Sequence, residues 1–454
     1  MTILKAKNAL LETGWAKNVE IEIGSDGRIA AITTNATPAA ASSQNLLPSP
    51  ANLHSHAFQR AMAGLTEARG PTGQDSFWTW RKLMYQFLDQ LGPDDIQSIT
   101  AFAQMEMLEA GYASVVEFHY LHHGAGGAPY DDKAELAKRV IAASSETGIG
   151  LTLAPVLYER GGCDNRALDG GQKRFAHDLE TFGELITATR ANLPVLGDDA
   201  LVGVAAHSLR AVRPESLGGL IEIADGAPVH IHIAEQMAEV EEVKRAYGKR
   251  PVEWLIDNQK IDKQWCLVHA TQMEPHETNA LAKSGAVAGI CPVTEANLGD
   301  GIFDGANFFG DGGRFGVGTD SNVNISLTEE LRLFEYSQRL RGRARAILAT
   351  EEKSTGRTLF EGAAKGGAQA AGRDSGAIAV GKIADLIALD GASVHLDGRA
   401  GDAILDSFIF AGDDALVTDV WSAGRHVVKT GRHIAHDAIE ARYRECVKAL
   451  RDRI

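Results

Sequence analysis

Residues 265–293 read WCLVHATQMEPHETNALAKSGAVAGICPV. They contain one complete repeat of a pattern in which short apolar runs alternate with longer amphipathic segments. A short apolar run from Trp265 to Ala270 precedes an amphipathic segment from Pro275 to Ser284, and a second apolar run follows from Ala286 to Val293. Short apolar runs of this kind are typical of strands buried on both faces, and the segment between them has the periodicity of a covering helix. The stretch therefore predicts a β-α-β unit.

The same alternation repeats along most of the chain. Eight short apolar runs are present, at Leu53 to His56, Ala113 to His119, Gly148 to Tyr158, Leu201 to His207, Pro228 to Ala234, Trp265 to Ala270, Ala286 to Val293 and Arg314 to Asp320. Helical patterns lie between these runs or after the last, at Asp94 to Ala110, Ala134 to Glu146, Phe175 to Ala191, Pro275 to Ser284 and Leu327 to Leu348. Eight β and α units over roughly 320 residues predict an α/β fold, a distorted TIM (β/α)8 barrel that carries insertions.

An open doubly wound sheet is the alternative to this barrel. Its nucleotide-binding form requires a glycine-rich phosphate loop. The sequence contains no GxxxxGK[ST] motif, and no GxGxxG opens a helix after the first apolar run. The number of runs and the missing loop both favour the barrel.

Strand patterns also occur near the N-terminus. The segments Val19 to Ile23 and Arg28 to Ile32 flank the turn residues Ser25-Asp26-Gly27 and predict a hairpin. The stretch from Thr37 to Pro50 is rich in Ala, Ser and Pro, which predicts a linker.

Strand periodicity returns after Gly372. It is seen in GAIAVGKIADLIAL, SFIFAG, VTDVWSAGRHVV and TGRHI, and a final helix is predicted from Asp437 to Arg453. Because a lone hairpin is only marginally stable in water, we expect the two chain ends to meet. Residues 1–48 and 373–454 are thus predicted to form a small composite β-sandwich with a C-terminal helix, and residues 49–372 the barrel.

Composition excludes several classes of protein. The 454 residues carry a formal net charge of −15, which argues against a nucleic-acid partner. No apolar run approaches the ~20 residues of a membrane span, and the first residues, MTILKAKNALLETGW, lack the features of a signal peptide. We therefore expect a cytoplasmic protein with no membrane partner. The four cysteines show no CxxC spacing and are expected to be free thiols.

Polar side chains that can bind a metal or move a proton recur at the C-terminal ends of the predicted strands. They are His54 and His56 on the first run, Glu117 and His119 on the second, His207 on the fourth, His232 on the fifth, His269 on the sixth and Asp320 on the eighth. In a parallel barrel these ends converge on one mouth, where the catalytic loops lie. The distribution predicts an active site there.

Four of these residues form a candidate ligand set for a metal. His54 and His56 project to the same face of a strand because they are two residues apart. His232 adds a third nitrogen and Asp320 an oxygen, a set suited to Zn²⁺ that leaves room for a water. Spacing alone does not choose between His232 and His230; we favour His232, which lies nearer the strand end, and interpret His230 as a buried partner.

The segments LHSHAFQR, HIHIAEQ, LVHAT and GVGTDSN resemble the amidohydrolase superfamily, and within it the deaminase-like branch. FWTWR, EFHYLHH, AAHSLR and SLTEELR narrow the resemblance to the formimino-glutamate deiminases, the iminohydrolases of histidine degradation. The resemblance spans essentially the whole chain. It implies one Zn²⁺ per subunit, held by His54, His56, His232 and Asp320, and catalytic roles for Glu235, His269 and Asp320.

The chemistry of these residue types agrees with the implied roles. Zn²⁺ can lower the pKa of a bound water from ~15.7 toward ~7. A neutral His269 could accept a proton or stabilise the charge that develops on attack. Glu235 is not needed as a ligand, so it could deliver a proton to the departing nitrogen, provided that burial raises its pKa.

The implied substrate carries two carboxylates, for which arginine offers a matching planar fork. By resemblance, the substrate contacts are Gln59, Arg81, Tyr120, His207 and Arg210, and the protein is a homodimer. The residues leave two other functions open. One is deamination of an aromatic heterocycle by the same mechanism, and the other is that of a non-catalytic assembly protein that keeps the barrel fold.

Overall fold

The computed structural model describes residues 2–36, 43–67 and 77–453. Its strands are β1 Thr2–Leu11, β2 Gly14–Ile23, β3 Ile29–Thr33, β4 Ser43–Pro48, β5 Ala51–Ser55, β6 Ser114–His119, β7 Gly150–Leu157, β8 Leu201–Val202, β9 Val204–Ala206, β10 Val229–Ile233, β11 Trp265–His269, β12 Val287–Ile290, β13 Arg314–Val317, β14 Leu386–Leu389, β15 Val417–Ser422, β16 Arg425–Lys429 and β17 Arg432–His433.

The described residues also form a series of α-helices, most of which lie between the barrel strands in the chain. They are α1 Phe77–Leu88, α2 Pro93–Glu109, α3 Glu135–Thr147, α4 Leu179–Asn192, α5 Ser216–Ala224, α6 Met237–Tyr247, α7 Pro251–Asn258, α8 Pro275–Ser284, α9 Pro292–Leu298, α10 Gly305–Gly310, α11 Leu327–Gly342, α12 Thr355–Ala370, α13 Asp402–Phe410 and α14 His436–Arg451. In this part of the chain, no helix combines the length and the apolar character needed to cross a bilayer.

The predicted barrel is confirmed. Strands β5, β6, β7, β9, β10, β11, β12 and β13 form one parallel path in chain order, and β8 pairs with β7 beside it. Each of the eight predicted apolar runs overlaps a strand of this path, although the fourth is split at Gly203 into β8 and β9. All residues of β5, β6, β7, β9, β10, β11 and β12 are buried, so both faces of these strands are covered, as expected for a parallel sheet.

The barrel closes between β5 and the residues that follow β13. The Asp320 N–H donates to the His54 carbonyl over 2.9 Å, and the His56 N–H donates to the Asp320 carbonyl over 2.9 Å, so that Ser55 and Asp320 form a parallel bridge. We call these three residues, His54, His56 and Asp320, the closing seam. Gly318 permits the close approach, since a Cβ there would lie 2.7 Å from the His54 Cβ.

Both chain ends contribute to a second sheet, in the order β17-β16-β15-β14-β4-β1-β2-β3. The predicted composite module is therefore a single hydrogen-bonded sheet of eight strands, antiparallel except for the β1–β4 pair. Successive side chains of β4 point to opposite faces of the sheet. Leu46 packs in a small core of this sheet, and Leu47 packs in the large barrel core. The predicted boundaries after residues 48 and 372 fall between β4 and β5 and just after α12.

Two local predictions near the chain ends are wrong. SFIFAG was expected to be a strand but belongs to α13, because Ile404, Leu405, Phe408 and Ile409 repeat at helical spacing and are all buried. The linker expected from Thr37 to Pro50 contains β4, which pairs with β1 and β14; its residues 37–42 lie outside the described residues.

An ion network joins the second sheet to the barrel, and its Arg373–Asp385 pair is buried. Arg373 donates to Asp385 at 2.6 Å and to Asp199 at 2.9 Å, and Arg425 also reaches Asp199 at 2.8 Å. Asp385 precedes β14, whereas Asp199 precedes β8 of the barrel. Each buried charge thus has a partner of opposite sign, which buried ions require.

The close packing at the closing seam predicts that one added methyl group lowers the free energy of unfolding. Gly318→Ala would bring Cβ within 2.7–2.8 Å of three His54 atoms, so we expect a loss of about 1–3 kcal/mol in the free energy of unfolding from overpacking. Gly218→Ala, in α5 with nothing within 4 Å of the added Cβ, is the control and should be neutral or slightly stabilising. Urea unfolding followed by circular dichroism measures both; equal stability of the two variants would contradict the tight seam.

Candidate metal centre and active site

The structure brings the four predicted metal ligands together at the barrel mouth. The Nε2 atoms of His54 and His232 lie 2.9 Å apart, and the donor atoms of His54, His56 and His232 all lie within 4.8 Å of one another. Asp320 Oδ1 lies 3.5 Å from His54 Nε2 and 3.3 Å from His56 Nε2. All four side chains are buried, so the described residues contain a three-histidine site with an adjacent carboxylate.

The electrostatics of this cluster suit a divalent cation. Burial lowers the pKa of His54 to about 3 and that of His232 well below its usual value, so both rings are neutral and present lone pairs. His56 Nδ1 lies 3.0 Å from the Phe118 carbonyl, which leaves Nε2 to face the cluster. Burial opposes ionisation of Asp320, but the His54 hydrogen bond and the His269 charge hold its pKa below the usual range. Three neutral nitrogens and one carboxylate oxygen fit Zn²⁺ or a similar ion.

His230 takes the place expected of a buried partner. Its Nε2 lies 2.8 Å from the carbonyl of Ala370, at the end of α12, and the residue is fully buried. Although it shares a strand face with His232, it bonds to the helix layer and does not belong to the donor cluster.

The residues at these strand ends have strained backbones. Ala234, His269 and Asp320 have φ values of 51°, 69° and 48°, in the left-handed region that residues with a Cβ seldom adopt. Such strain costs on the order of 1–3 kcal/mol per residue and persists where the surrounding structure determines the conformation. Here it coincides with the ends of β10, β11 and the closing seam, where the chain turns and aims side chains at the mouth.

Glu235 and His269 lie next to the metal cluster. His269 Nε2 is 3.9 Å from Glu235 Oε1 and 3.9 Å from Asp320 Oδ2. Burial raises the pKa of Glu235 to about 7, a value suited to the proton-transfer role that the sequence analysis expects. Burial would lower the pKa of His269, but Glu235, Glu295 and Asp320 outweigh it and raise this pKa to about 10. The sequence analysis expected a neutral His269, whereas the surrounding carboxylates favour the protonated form of its ring.

Glu295 is a residue of this site that the sequence analysis missed. Its Oε1 lies 3.4 Å from His269 Nδ1 and accepts a 3.0 Å hydrogen bond from the Cys291 N–H, so the carboxylate is fixed and orients the imidazole. Glu295 lies in the first turn of α9, directly after β12. The sequence signal that marks it is its position shortly after the seventh apolar run, where the chain leaves β12.

The predicted substrate contacts line one cavity together with the metal cluster. The members of this set are Gln59, Arg81, Tyr120, His207 and Arg210, and the cavity also contains His56, His232, Glu235, His269 and Asp320. Gln59 Nε2 donates to the Tyr120 hydroxyl at 2.7 Å. Lining residues that were not predicted are Trp80, Met84, Tyr85, Phe175, Thr294, Leu298 and Ser321. Most of these come from α1 and from connecting segments, where no strand-end pattern marks them.

Glu117 and His119 are at the second strand end but do not line the cavity. Glu117 accepts a 2.8 Å hydrogen bond from the Ala57 N–H, and burial raises its pKa to about 8. The His119 ring lies 5.4 Å from the His122 ring, and burial lowers the pKa of His119 to about 4. Glu117 thus supports the segment after the closing-seam histidines.

Comparisons with known proteins agree with this architecture. Residues 45–427 match the model of the amidohydrolase family, and residues 1–45 match that of the formimidoylglutamate deiminase HutF N-terminal domain. A formimidoylglutamate deiminase of Pseudomonas aeruginosa is 48% identical over 96% of this chain and 97% of its own. An 8-oxoguanine deaminase of the same organism is 28% identical over 90% and 88%. The crystal structure of an amidohydrolase from Brucella melitensis has a TM-score of 0.95 and 46% identity, and covers 99% of this chain and 100% of its own.

The histidine pair on β10 provides a matched test of the metal site. His232→Gln should strongly reduce metal content after loading with zinc and dialysis, because one of three nitrogen ligands is lost. His230→Gln should keep a content near that of the wild-type protein, since His230 bonds to Ala370 instead. Atomic emission spectrometry measures both. Equal metal content in the two variants would contradict the assignment.

Proposed function

Because this chain belongs to the amidohydrolase family, we propose that it hydrolyses N-formimino-L-glutamate to N-formyl-L-glutamate and ammonia, a reaction of histidine degradation. The observation that carries the proposal is the placement of Arg81 and Arg210 in one cavity with the three-histidine cluster. Such a cavity can hold carboxylates while the formimino carbon meets the metal centre.

We propose one Zn²⁺ per subunit, held by His54, His56, His232 and Asp320. When bound, the ion would lower the pKa of a coordinated water and make hydroxide available near neutral pH. The donor chemistry supports this proposal. Burial lowers the pKa values of the three imidazoles, and the pKa of the Asp320 carboxyl is also lowered.

Glu235 and His269 divide the proton chemistry in this proposal. Glu235, with a pKa of about 7, can take up a proton and deliver it to the nitrogen that departs as ammonia. His269 lies beside Glu295, and the neighbouring carboxylates raise its pKa. In its protonated form, this ring would stabilise the negative charge that develops as the formimino carbon is attacked.

The two arginines distinguish the proposed substrate from an aromatic heterocycle. A neutral heterocycle needs no carboxylate partner, whereas formimino-glutamate has two carboxylates that would otherwise be desolvated without compensation. Arg81 and Arg210 come from α1 and from the segment after β9, so they approach the cavity from different elements. A dicarboxylate can thus be held at two points.

Ammonia release tests the substrate directly. Zinc-loaded protein should release ammonia from N-formimino-L-glutamate and not from guanine, adenosine or cytosine. Arg210→Met should lower kcat/KM for the amino acid by about 10- to 100-fold, because a charged hydrogen-bond partner of a carboxylate is lost. Arg213→Met, which removes a half-exposed arginine paired with Glu159, is the control and should stay near wild type. Turnover of a nucleobase alone would reject the proposal.

Replacement of Glu235 tests the division of roles. Glu235→Gln should lower kcat by about 100- to 10,000-fold, since the amide cannot carry the proton to the leaving nitrogen. Its metal content should match that of the wild-type protein, because Glu235 is outside the donor cluster. Steady-state kinetics and metal analysis on the same preparation check both parts, and an active Glu235→Gln protein would refute the proton-transfer role.

A further inference from the structure

Two tyrosines hold the guanidinium of Arg81. Arg81 Nε donates to the Tyr85 hydroxyl at 2.8 Å, and Arg81 Nη2 donates to the Tyr158 hydroxyl at 3.3 Å. The Tyr85 ring also lies 5.2 Å from the guanidinium carbon, a distance at which a cation and a ring attract. Tyr85 is one helical turn from Arg81 on α1, whereas Tyr158 directly follows β7. The guanidinium is thus fixed both by its own helix and by the barrel.

Arg81 determines the direction of its hydrogen bonds with Tyr85 and Tyr158. Arginine has only donors, so both tyrosine oxygens act as acceptors toward Arg81. Tyr158 also accepts a 3.1 Å hydrogen bond from Gln172 Nε2. Each phenol therefore keeps its own proton for a different acceptor. Burial raises the pKa of Tyr85, which keeps that proton in place.

The two tyrosines differ in their relation to the cavity. Tyr85 lines it beside Arg81, so its hydroxyl proton can reach a bound anion. Tyr158 is 2% exposed and lies behind the lining, with its ring 4.5 Å from that of His207 and 5.4 Å from that of Phe175. Tyr158 can therefore act only through the residues that it positions.

We propose that Tyr85 and Tyr158 determine the enzyme's preference for a substrate carboxylate at Arg81: Tyr158 positions the guanidinium, and Tyr85 donates its hydroxyl hydrogen bond to the same carboxylate. The inference rests on the proposed function, in which Arg81 meets one of two carboxylates. An arginine already oriented by two fixed acceptors loses less conformational freedom when it binds an anion, which improves both affinity and selectivity.

The test compares Tyr85→Phe and Tyr158→Phe with Tyr112→Phe. Tyr112 is a fully buried tyrosine whose hydroxyl has no hydrogen-bond partner among the described residues, so its loss controls for removing a buried hydroxyl. Four compounds serve as substrates: N-formimino-L-glutamate, its two analogues that lack either the α-carboxylate or the side-chain carboxylate, and N-ethylformamidine, which lacks both.

Both site variants should raise KM for N-formimino-L-glutamate by about five- to tenfold, with kcat nearly unchanged. The same rise should occur for one single-carboxylate analogue, and KM for the other analogue and for N-ethylformamidine should not change. Tyr158→Phe should have no further effect on KM in an Arg81→Met protein, because Tyr158 acts through Arg81. Equal rises for all four compounds, or no rise for any, would overturn the inference.

Glutarate binding separates this inference from the proposed function. Glutarate has two carboxylates and no C–N bond, so its dissociation constant, measured by calorimetry, does not depend on turnover. Weaker glutarate binding in the two site variants, with no turnover of any formimino compound by the wild-type protein, would reject the proposed function and support the tyrosine-held carboxylate site. Unchanged glutarate binding and unchanged KM would reject the site itself.

Discussion

The closing seam is the constraint on which the rest of the structure depends. Backbone hydrogen bonds between His54, His56 and Asp320 complete the barrel, and the side chains of the same three residues supply three of the four donors of the metal cluster. Barrel closure and assembly of the site are therefore one event. The fourth donor, His232, comes from β10, the fifth strand of the parallel path, so the cluster joins the first, fifth and last units of the barrel.

Burial and nearby carboxylates together determine the pKa values of the histidines around the closing seam. The carboxylates of Glu235, Glu295 and Asp320 surround His269 and raise its pKa, whereas burial lowers the pKa values of His54 and His232. A low-dielectric mouth with several carboxylates favours cations, whether a proton or a metal ion. Arg81 and Arg210 line the same cavity and have the opposite role in the proposed function, in which they attract the carboxylates of an anionic substrate.

Much of this arrangement could be predicted from the sequence because parallel strands give a strong local signal. Counting apolar runs predicted the barrel, and polar residues at their ends predicted the cavity. Glu295 and Tyr158 follow the barrel strands β12 and β7, so the same pattern also indicates these two residues. Tyr85 is not marked by this pattern, since it reaches the cavity from helix α1 and not from a strand end. SFIFAG was misassigned because a short apolar segment has no decisive period, and only packing showed it to be a helix.

Anomalous diffraction at the zinc absorption edge, from crystals of the zinc-loaded protein, tests the metal centre most directly. We expect one strong anomalous peak per chain at the closing seam, with His54, His56 and His232 nitrogens and an Asp320 oxygen at about 2.0–2.2 Å. A peak elsewhere, or an ion at the seam with Asp320 turned away, would contradict this expectation.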